Sequence, residues 1–381
     1  MLCISRYTRY TSVQKSLRII RMSSHRKGMD NDFPENPHLP KGTVLPRNQV
    51  AGHKHEGRSK LGLLQHEDGT ILKASQKPPR GTREVDFYKQ VFDATCTDKT
   101  ILQLRSFLPR FFGVCHLEEY PDVTYLKLEN IVYPFRKPCV VDIKMGKRTY
   151  DPEAGPAKIA KEVTKFPYVE KFGFQFTGMQ TYDPVEQKTK FYDKFFCRKL
   201  GEDELLKKGL GAFFNLQQCL RRDAIQVLLE KLREIESWFA SQTMFSFYAS
   251  SLLLVYEGDM PYNNYLSPCI QCHSKEDSGC GSSGCGSTEL DQNEDSSGCT
   301  CESDKTDDIS SISIENSSSV ISTSLNDIKT ESSEDLHNDA IADVRMIDFT
   351  HVFSQGEIDE NYLFGLRNLI RNLEMLLELP S

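Results

Sequence analysis

Pro138-Cys139-Val140-Val141-Asp142-Ile143-Lys144-Met145-Gly146 is the stretch on which the reading of this chain turns. Residues 139–145 alternate as in a β-strand, so Asp142 and Lys144, two apart, leave the same face. Gly146 permits a close backbone turn directly after them. An acid and a base side by side at a strand end suit phosphoryl transfer. The carboxylate orients an attacking hydroxyl or holds a divalent cation, and the ammonium neutralises charge on the moving phosphate. The plain alternative is a surface ion pair on an edge strand.

The 381 residues suffice for one large domain or two modest ones, and the net charge of −7 hides three regions. Residues 1–29 hold seven basic residues and no acids; residues 259–340 hold 17 acids and three bases; the remainder is neutral. Within that neutral remainder, Arg136 to Lys161 holds seven bases against three acids, around the Asp-x-Lys pair. A basic focus in a neutral body suits a small polyanion better than a nucleic acid track, and no nucleic acid partner is expected. The twelve cysteines come without a secretory apolar core, and no apolar run reaches the ~18 residues of a transmembrane segment. Free thiols in a reducing compartment follow, with nucleus and cytoplasm as the expected location. The basic, Ser-containing first 29 residues also have the composition of a mitochondrial transit peptide. The alternatives are a disordered extension or a start at Met22 or Met29.

Upstream of the signature, Pro34, Pro37, Pro40 and Pro46 argue against regular structure over 30–48. Asp68-Gly69 between two apolar runs predicts a hairpin, with Lys73 at the end of its second strand. Val85, Tyr88, Val91 and Phe92 recur at helical spacing, predicting a helix over 83–95 with Glu84 in its first turn. A strand-end lysine followed by a helix glutamate is how protein kinases fix a lysine on nucleotide phosphates. A solvent-facing lysine and a glutamate favoured by the helix dipole is the simpler account. No G-x-x-x-x-G-K-[ST] occurs and no G-x-G-x-x-G stands between a strand and a helix, which excludes a P-loop or dinucleotide-binding architecture. Residues 123–132 alternate like a strand, either a plain core strand or one that runs between two lobes and offers backbone groups to a nucleotide base.

Downstream, a Thr149–Pro152 turn leads to a Lys-rich helix over 155–165, then a strand over 172–182 and helices over 202–214 and 223–240. An apolar strand follows over 247–256 and contains Ser250-Ser251. Residues 259–340 are rich in Ser, Asp, Glu and Gly, the composition of a disordered insertion. Structure resumes with a strand ending at Asp348 and a terminal helix striped by Tyr362, Leu366, Leu369, Ile370 and Leu373. Asp348 is a candidate metal ligand or, more simply, a turn residue. Six cysteines fall in the insertion; Cys269-x-x-Cys272 invites zinc, but the irregular spacing of the others and their Gly-Ser setting argue against it.

Taken in order, these pieces resemble the inositol polyphosphate kinase family. Lys73, Glu84, P-x-x-x-D-x-K-x-G at 138–146, Ser250-Ser251-Leu252-Leu253 and Ile347-Asp348-Phe349 carry the likeness, over about 50–258 and 341–381. Arg80-Gly81-x-Arg83-Glu84, Leu128-Glu129-Asn130, Tyr150-Asp151-Pro152 and the short segment from Gly146 to Gly178 look closest to its multikinase branch. The resemblance implies an α+β, two-lobed fold related to protein kinases, with a long disordered insertion. Its parts would be a disordered arm (1–48), an ATP-binding N-lobe (49–132), a catalytic C-lobe (133–258), the insertion (259–340) and the rest of the C-lobe (341–381).

The resemblance also implies roles and ligands. Lys73, held by Glu84, meets ATP phosphates, and Glu129, Asn130 and Ile131 meet adenine and ribose. Asp142 activates the attacking hydroxyl, and Lys144 touches the moving phosphate and the substrate. Asp348, helped by Ser251, fixes Mg2+ and the phosphates. Arg80, Lys158 and His351 meet substrate phosphates. Lys161 and Glu162 stand where multikinases can have glutamines, which leaves open which hydroxyls are phosphorylated. The expected partners are inositol polyphosphates, with a phosphoinositide lipid headgroup as a second substrate and regulatory proteins docking on the insertion. A strict trisphosphate 3-kinase, a hexakisphosphate kinase, and a scaffold with secondary catalysis are the alternatives.

Overall fold

The structure is a computed structural model and describes residues 39–259 and 341–379. The arm before residue 39, and the insertion from 260 to 340 with its six cysteines, lie outside the described residues. Two antiparallel five-stranded sheets organise what is described. The first has the order β1-β2-β3-β5-β4, from Thr43–Val44 (β1), Leu63–His66 (β2), Ile71–Ala74 (β3), Phe111–Leu117 (β4) and Tyr120–Leu128 (β5). Its β2–β3 hairpin turns at Asp68-Gly69 as expected; the Asp68 carboxylate accepts from the Thr70 backbone N–H at 3.0 Å, and Gly69 has φ +87°. Thr43 pairs with His66. The first sheet therefore begins ahead of residue 49, where composition alone ended the arm.

Helix α1 (Arg80–Val91) buries Glu84, Phe87, Tyr88 and Val91. It starts three residues earlier than the apolar spacing indicates, because its first turn carries no apolar residue of the stripe.

The second sheet has the order β11-β10-β6-β7-β8, from Pro138–Met145 (β6), Phe174–Asp183 (β7), Lys188–Tyr192 (β8), Ser251–Glu257 (β10) and Ala342–Ile347 (β11). The signature strand β6 lies at its centre and is buried on both faces apart from Lys144, so the edge-strand alternative fails. The 247–256 strand is broken in two: Ala249 takes φ +54°, separating Ser246–Phe247 (β9), which pairs with Val352–Phe353 (β12), from β10.

Helices α2 (Pro156–Lys165), α3 (Arg222–Ser241) and α4 (Glu360–Glu378) complete the frame. Residues 202–213 form short helical pieces with a π-turn at Leu205–Leu210 rather than one helix. The α3 stripe from Ile225 to Phe239 is buried, and Phe239 stacks on Tyr362 of α4 at 4.1 Å. Each such apolar side chain contributes roughly 1.5–3 kcal/mol by its burial. Trp238 is 1% exposed, and its indole N–H donates to the Thr100 carbonyl at 2.9 Å. Helices α3 and α4 pack against strands of the second sheet.

Candidate active site

The register of the second sheet assembles the site. Lys144 of β6 pairs with Ser251 of β10, and Ser251 pairs with Ile347 of β11. Asp348 therefore sits one residue beyond a line drawn through Lys144 and Ser251. It adopts φ +65°, a left-handed conformation that aspartate tolerates better than most residues and that clusters at functional positions. On the opposite edge of β6, Asp142 pairs with Gly178 and Ile143 with Phe176, leaving Thr177 as a β-bulge. Its hydroxyl donates to the Asp142 carbonyl at 3.1 Å. Bulges next to sites re-aim side chains, and this one fixes β6 at its acidic residue. Gly146 has φ +98°, and a Cβ there would meet the Asn361 side chain at 2.4 Å, so the turn leaving the site requires glycine.

Lys73 is the hinge between the sheets. Its ammonium donates to Glu84 at 2.7 Å and also to Asp348. Glu84 is fully buried and accepts in addition from the Phe349 backbone N–H at 3.0 Å. One carboxylate thus ties β3, α1 and the residue after Asp348 together. Although burial alone would lower the Lys73 pKa, Asp348 and Glu84 raise it above its ordinary value, so the lysine stays charged. Asp348 is 43% exposed. Burial opposes its ionisation, but Lys73 outweighs that and holds its carboxyl below the ordinary value.

Asp142 behaves in the opposite way. It is 6% exposed, and one of its carboxylate oxygens has no hydrogen-bond partner. Burial, reinforced by the negative charge of Asp348, pushes its pKa up to about 6, against the pull of Thr177, Ser251 and Lys144. Ser251 is 1% exposed and lies against Asp142 rather than in the open cleft.

The cleft between the sheets is lined by Leu63, Ile71, Lys73 and Leu128 on one side and by Asp142, Leu253, Ile347 and Asp348 on the other. Glu129, Asn130 and Ile131 line its inner edge. The Glu129 backbone N–H donates to Arg110, and the Asn130 side-chain oxygen accepts from the Val132 N–H at 3.2 Å. Arg80, Lys158 and His351 form a second group. His351 bonds to Asp151, and Lys158 donates to Glu162 at 2.6 Å. Burial lowers the His351 pKa, and the nearby charges of Arg80 and Lys158 lower it further, against Asp151. The three residues are thus electrostatic neighbours, although they come from three distant segments.

Reading the sequence missed two components. The first is the segment Pro46–Ala51, which lines the cleft. It lies against the second sheet: Gln180 donates to Asn48 at 3.0 Å, and a Cβ on Gly178 would meet the Val50 carbonyl at 2.0 Å. An irregular segment carries no periodicity to announce it; Gly178 opposite the signature was the one available signal. The second is Asp151 as the partner of His351, for which spacing gives no sign across 200 residues.

A lysine fixed by a buried glutamate, a half-open aspartate beside it, and a buried carboxyl raised towards neutrality form the kit of a phosphotransferase. The residue profile of the inositol polyphosphate kinase family matches residues 125–374. The chain belongs to that family. It is similar to the inositol polyphosphate multikinase of Rattus norvegicus, with 34% identity over 384 residues, covering 92% of this chain and 96% of the rat protein. The multikinase of Homo sapiens is also 34% identical, over 88% of this chain and 89% of its own. A solved structure of inositol phosphate multikinase from S. cerevisiae, in complex with ADP and Mn2+, aligns over 80% of this chain and 99% of its own, at 20% identity and a TM-score of 0.49. Among the described residues, no helix is long and apolar enough to cross a membrane.

Proposed function

We propose that this enzyme transfers the γ-phosphoryl group of ATP to hydroxyls of an inositol polyphosphate, taking inositol 1,4,5-trisphosphate through a tetrakisphosphate to a pentakisphosphate. The observation that carries this reading is the pairing of two unlike carboxyls: Asp142, raised to about 6, and Asp348, held ionised beside Lys73. Divergent carboxyls in one site mark separate acid–base and electrostatic roles.

In this mechanism the substrate hydroxyl oxygen attacks the γ-phosphorus, the bond from γ-phosphorus to the bridging oxygen breaks, and ADP leaves. Asp142 accepts the hydroxyl proton; its raised pKa makes it a stronger base than an ordinary carboxylate while leaving it ionised at neutral pH. Lys144, on the same face, offsets charge on the moving phosphoryl group. Lys73 binds the phosphates of the nucleotide, whose base enters between Leu63, Ile71, Leu128 and Leu253. Arg80, Lys158 and His351 orient the phosphates already on the ring.

Asp348 fits a divalent cation shared with nucleotide phosphates, because its side chain is part-open and Asp142 keeps an unpartnered oxygen nearby. Among the described residues no three His, Cys, Asp or Glu side chains converge on one point. Mg2+ takes one or two carboxylates together with phosphates and water, so Asp348 would hold it jointly with the nucleotide. When bound, Mg2+ neutralises charge on the phosphates. A phosphoinositide headgroup presents the same ring phosphates and is proposed as a second substrate.

The test is the purified chain with Mg-ATP and inositol 1,4,5-trisphosphate, with products resolved by isomer. Successive tetrakis- and pentakisphosphates support the reading. A single tetrakisphosphate end product would make the enzyme a strict 3-kinase, and no product from any inositol phosphate would overturn the assignment. Vesicles carrying phosphatidylinositol 4,5-bisphosphate test the lipid arm.

A further inference from the structure

Arg83 stands in the first turn of α1, three residues after Arg80 and directly before Glu84. The mechanism gives roles to both of these neighbours and none to Arg83. Its guanidinium donates from one amino group to the Thr350 carbonyl at 3.3 Å and from the other to the Glu153 carboxylate at 3.0 Å. The central carbon of the same guanidinium lies 4.1 Å from the centre of the Phe353 ring. Two edges and one face of a planar cation are thus occupied at once, which a lysine ammonium has no geometry to reproduce. The Arg83 side chain is 19% exposed and that of Glu153 60%, so the ion pair by itself contributes little. The Thr350 carbonyl, on a residue that is buried, and the Phe353 ring give the contact its fixed geometry.

Each of these partners adjoins His351. Thr350 precedes it, Phe353 follows it by two residues, and Glu153 follows by two the Asp151 that bonds its side chain. The His351 carbonyl accepts from the Tyr248 backbone N–H at 3.0 Å, and the Tyr248 ring meets Phe353 edge-on at 5.9 Å. Arg83 therefore grips both segments that supply the His351–Asp151 pair. It does so from the helix that carries Arg80, an electrostatic neighbour of His351, and Glu84, which fixes Lys73.

We infer that Arg83 is a positioning residue that holds the ring-phosphate group, Arg80 and His351, at a set distance from the nucleotide lysine Lys73. It acts through the His351–Asp151 pair on one side and through α1 on the other, not by contact with the substrate. Misplacement by about 1 Å at such a junction is enough to cost up to about 100-fold in rate. The inference rests on the inositol phosphate kinase reading above.

The experiment compares wild type, Arg83→Gln, Arg83→Lys and Glu153→Ala by steady-state kinetics on inositol 1,4,5-trisphosphate and Mg-ATP, with melting temperatures followed alongside. In Arg83→Gln, kcat/KM for the trisphosphate falls about tenfold, chiefly through KM, while the KM for ATP stays within about twofold, because Glu84 keeps its bonds to Lys73 and Phe349. Arg83→Lys keeps the charge but not the fork, and does not restore the trisphosphate KM. Glu153→Ala removes one exposed partner and raises that KM in the same direction, by about two- to threefold. A trisphosphate KM that falls in Glu153→Ala would mean that the freed arginine reaches a substrate phosphate itself, and a wild-type KM in Arg83→Lys would mean that charge alone suffices; either overturns the inference. So does a purely structural outcome, in which Arg83→Gln lowers melting temperature and kcat and leaves the trisphosphate KM unchanged. All three leave the kinase reading intact. Glu153→Ala, at an exposed position, decides the matter should the Arg83 variants fold poorly. Absence of wild-type turnover on every inositol phosphate would overturn the kinase reading and this inference with it.

Discussion

Replacing Asp142 with asparagine should cut turnover by orders of magnitude and make the protein more stable. Its carboxyl lies at about 6 in the folded chain, against an ordinary value of 3.8. At about 1.36 kcal/mol per pH unit, the ionised side chain costs the fold roughly 3 kcal/mol at pH 8. The sign follows from proton binding: the folded state holds this proton more tightly than the unfolded state does. The penalty is therefore absent below the ordinary value, grows as the pH rises towards 6, and is complete above it. Asparagine removes the charge but brings an amide N–H2 that needs partners, which costs about 1–2 kcal/mol in a site this buried. A net gain of about 1–2 kcal/mol corresponds to a melting temperature roughly 3–6 °C higher at pH 8. Thermal scans of both proteins from pH 8 down to pH 5 test this, with the gap shrinking as the wild-type carboxylate protonates. Turnover should fall by about 10²–10⁴, the usual worth of a general base. A variant that melts below wild type at pH 8, or a gap that does not depend on pH, would refute the assignment of Asp142 as a strained, buried base.

Lys144→Ala should cut kcat about 100-fold or more with little change in melting temperature, because Lys144 is the one residue of β6 that is not buried. Removing this cation should also raise the Asp142 carboxyl, so the low-pH limb of kcat/KM, expected near 6 in wild type, moves upward in any residual activity. An unmoved limb would show that Lys144 does not act on Asp142. Gly178→Ala places a Cβ 2.0 Å from the Val50 carbonyl and should displace the Pro46–Ala51 segment; the KM for ATP rises several-fold, and an unchanged KM would mean the segment does not shape the nucleotide site. Joining Asp259 to Ile341 by a short Gly-Ser turn should leave kcat within a few-fold, and loss of folding would show that residues 260–340 are structural.

Much of the fold was legible because its signals are local. The Asp68-Gly69 hairpin, the α3 stripe from Ile225 to Phe239 and the alternation in the signature strand each follow from neighbours a few residues apart. The partners of Lys73 were half legible. Glu84 lies eleven residues on, within one supersecondary unit, whereas the contact with Asp348 spans 275 residues and emerges only from sheet register. Glu162 was visible as an acid on a basic helix, but its burial was not, because the periodicity of α2 does not reveal which face meets the protein. The break at Ala249 was hidden by composition: Phe247 to Tyr256 reads as one apolar strand, and only pairing with two different partners divides it.

Register also explains how so long a connection can interrupt the site. Residues 260–340 join β10 to β11, which are adjacent and antiparallel, with Ser251 opposite Ile347 and Tyr256 opposite Ala342. The connection is thus a hairpin loop in topology, whatever its length. Loop closure costs only about 0.6 kcal/mol per doubling, so extending a loop of about five residues to this length costs roughly 2–3 kcal/mol. That sum is small beside the ladder and the α3 packing that hold the two strands together. What the site cannot absorb is a slip of one residue in the ladder, which would turn β11 over and carry Asp348 away from Lys73. The buried Val344 and Met346 prevent that slip, since turning them outward would expose both to water. The register that brings Asp348 to Lys73 is therefore held by apolar side chains on its own strand.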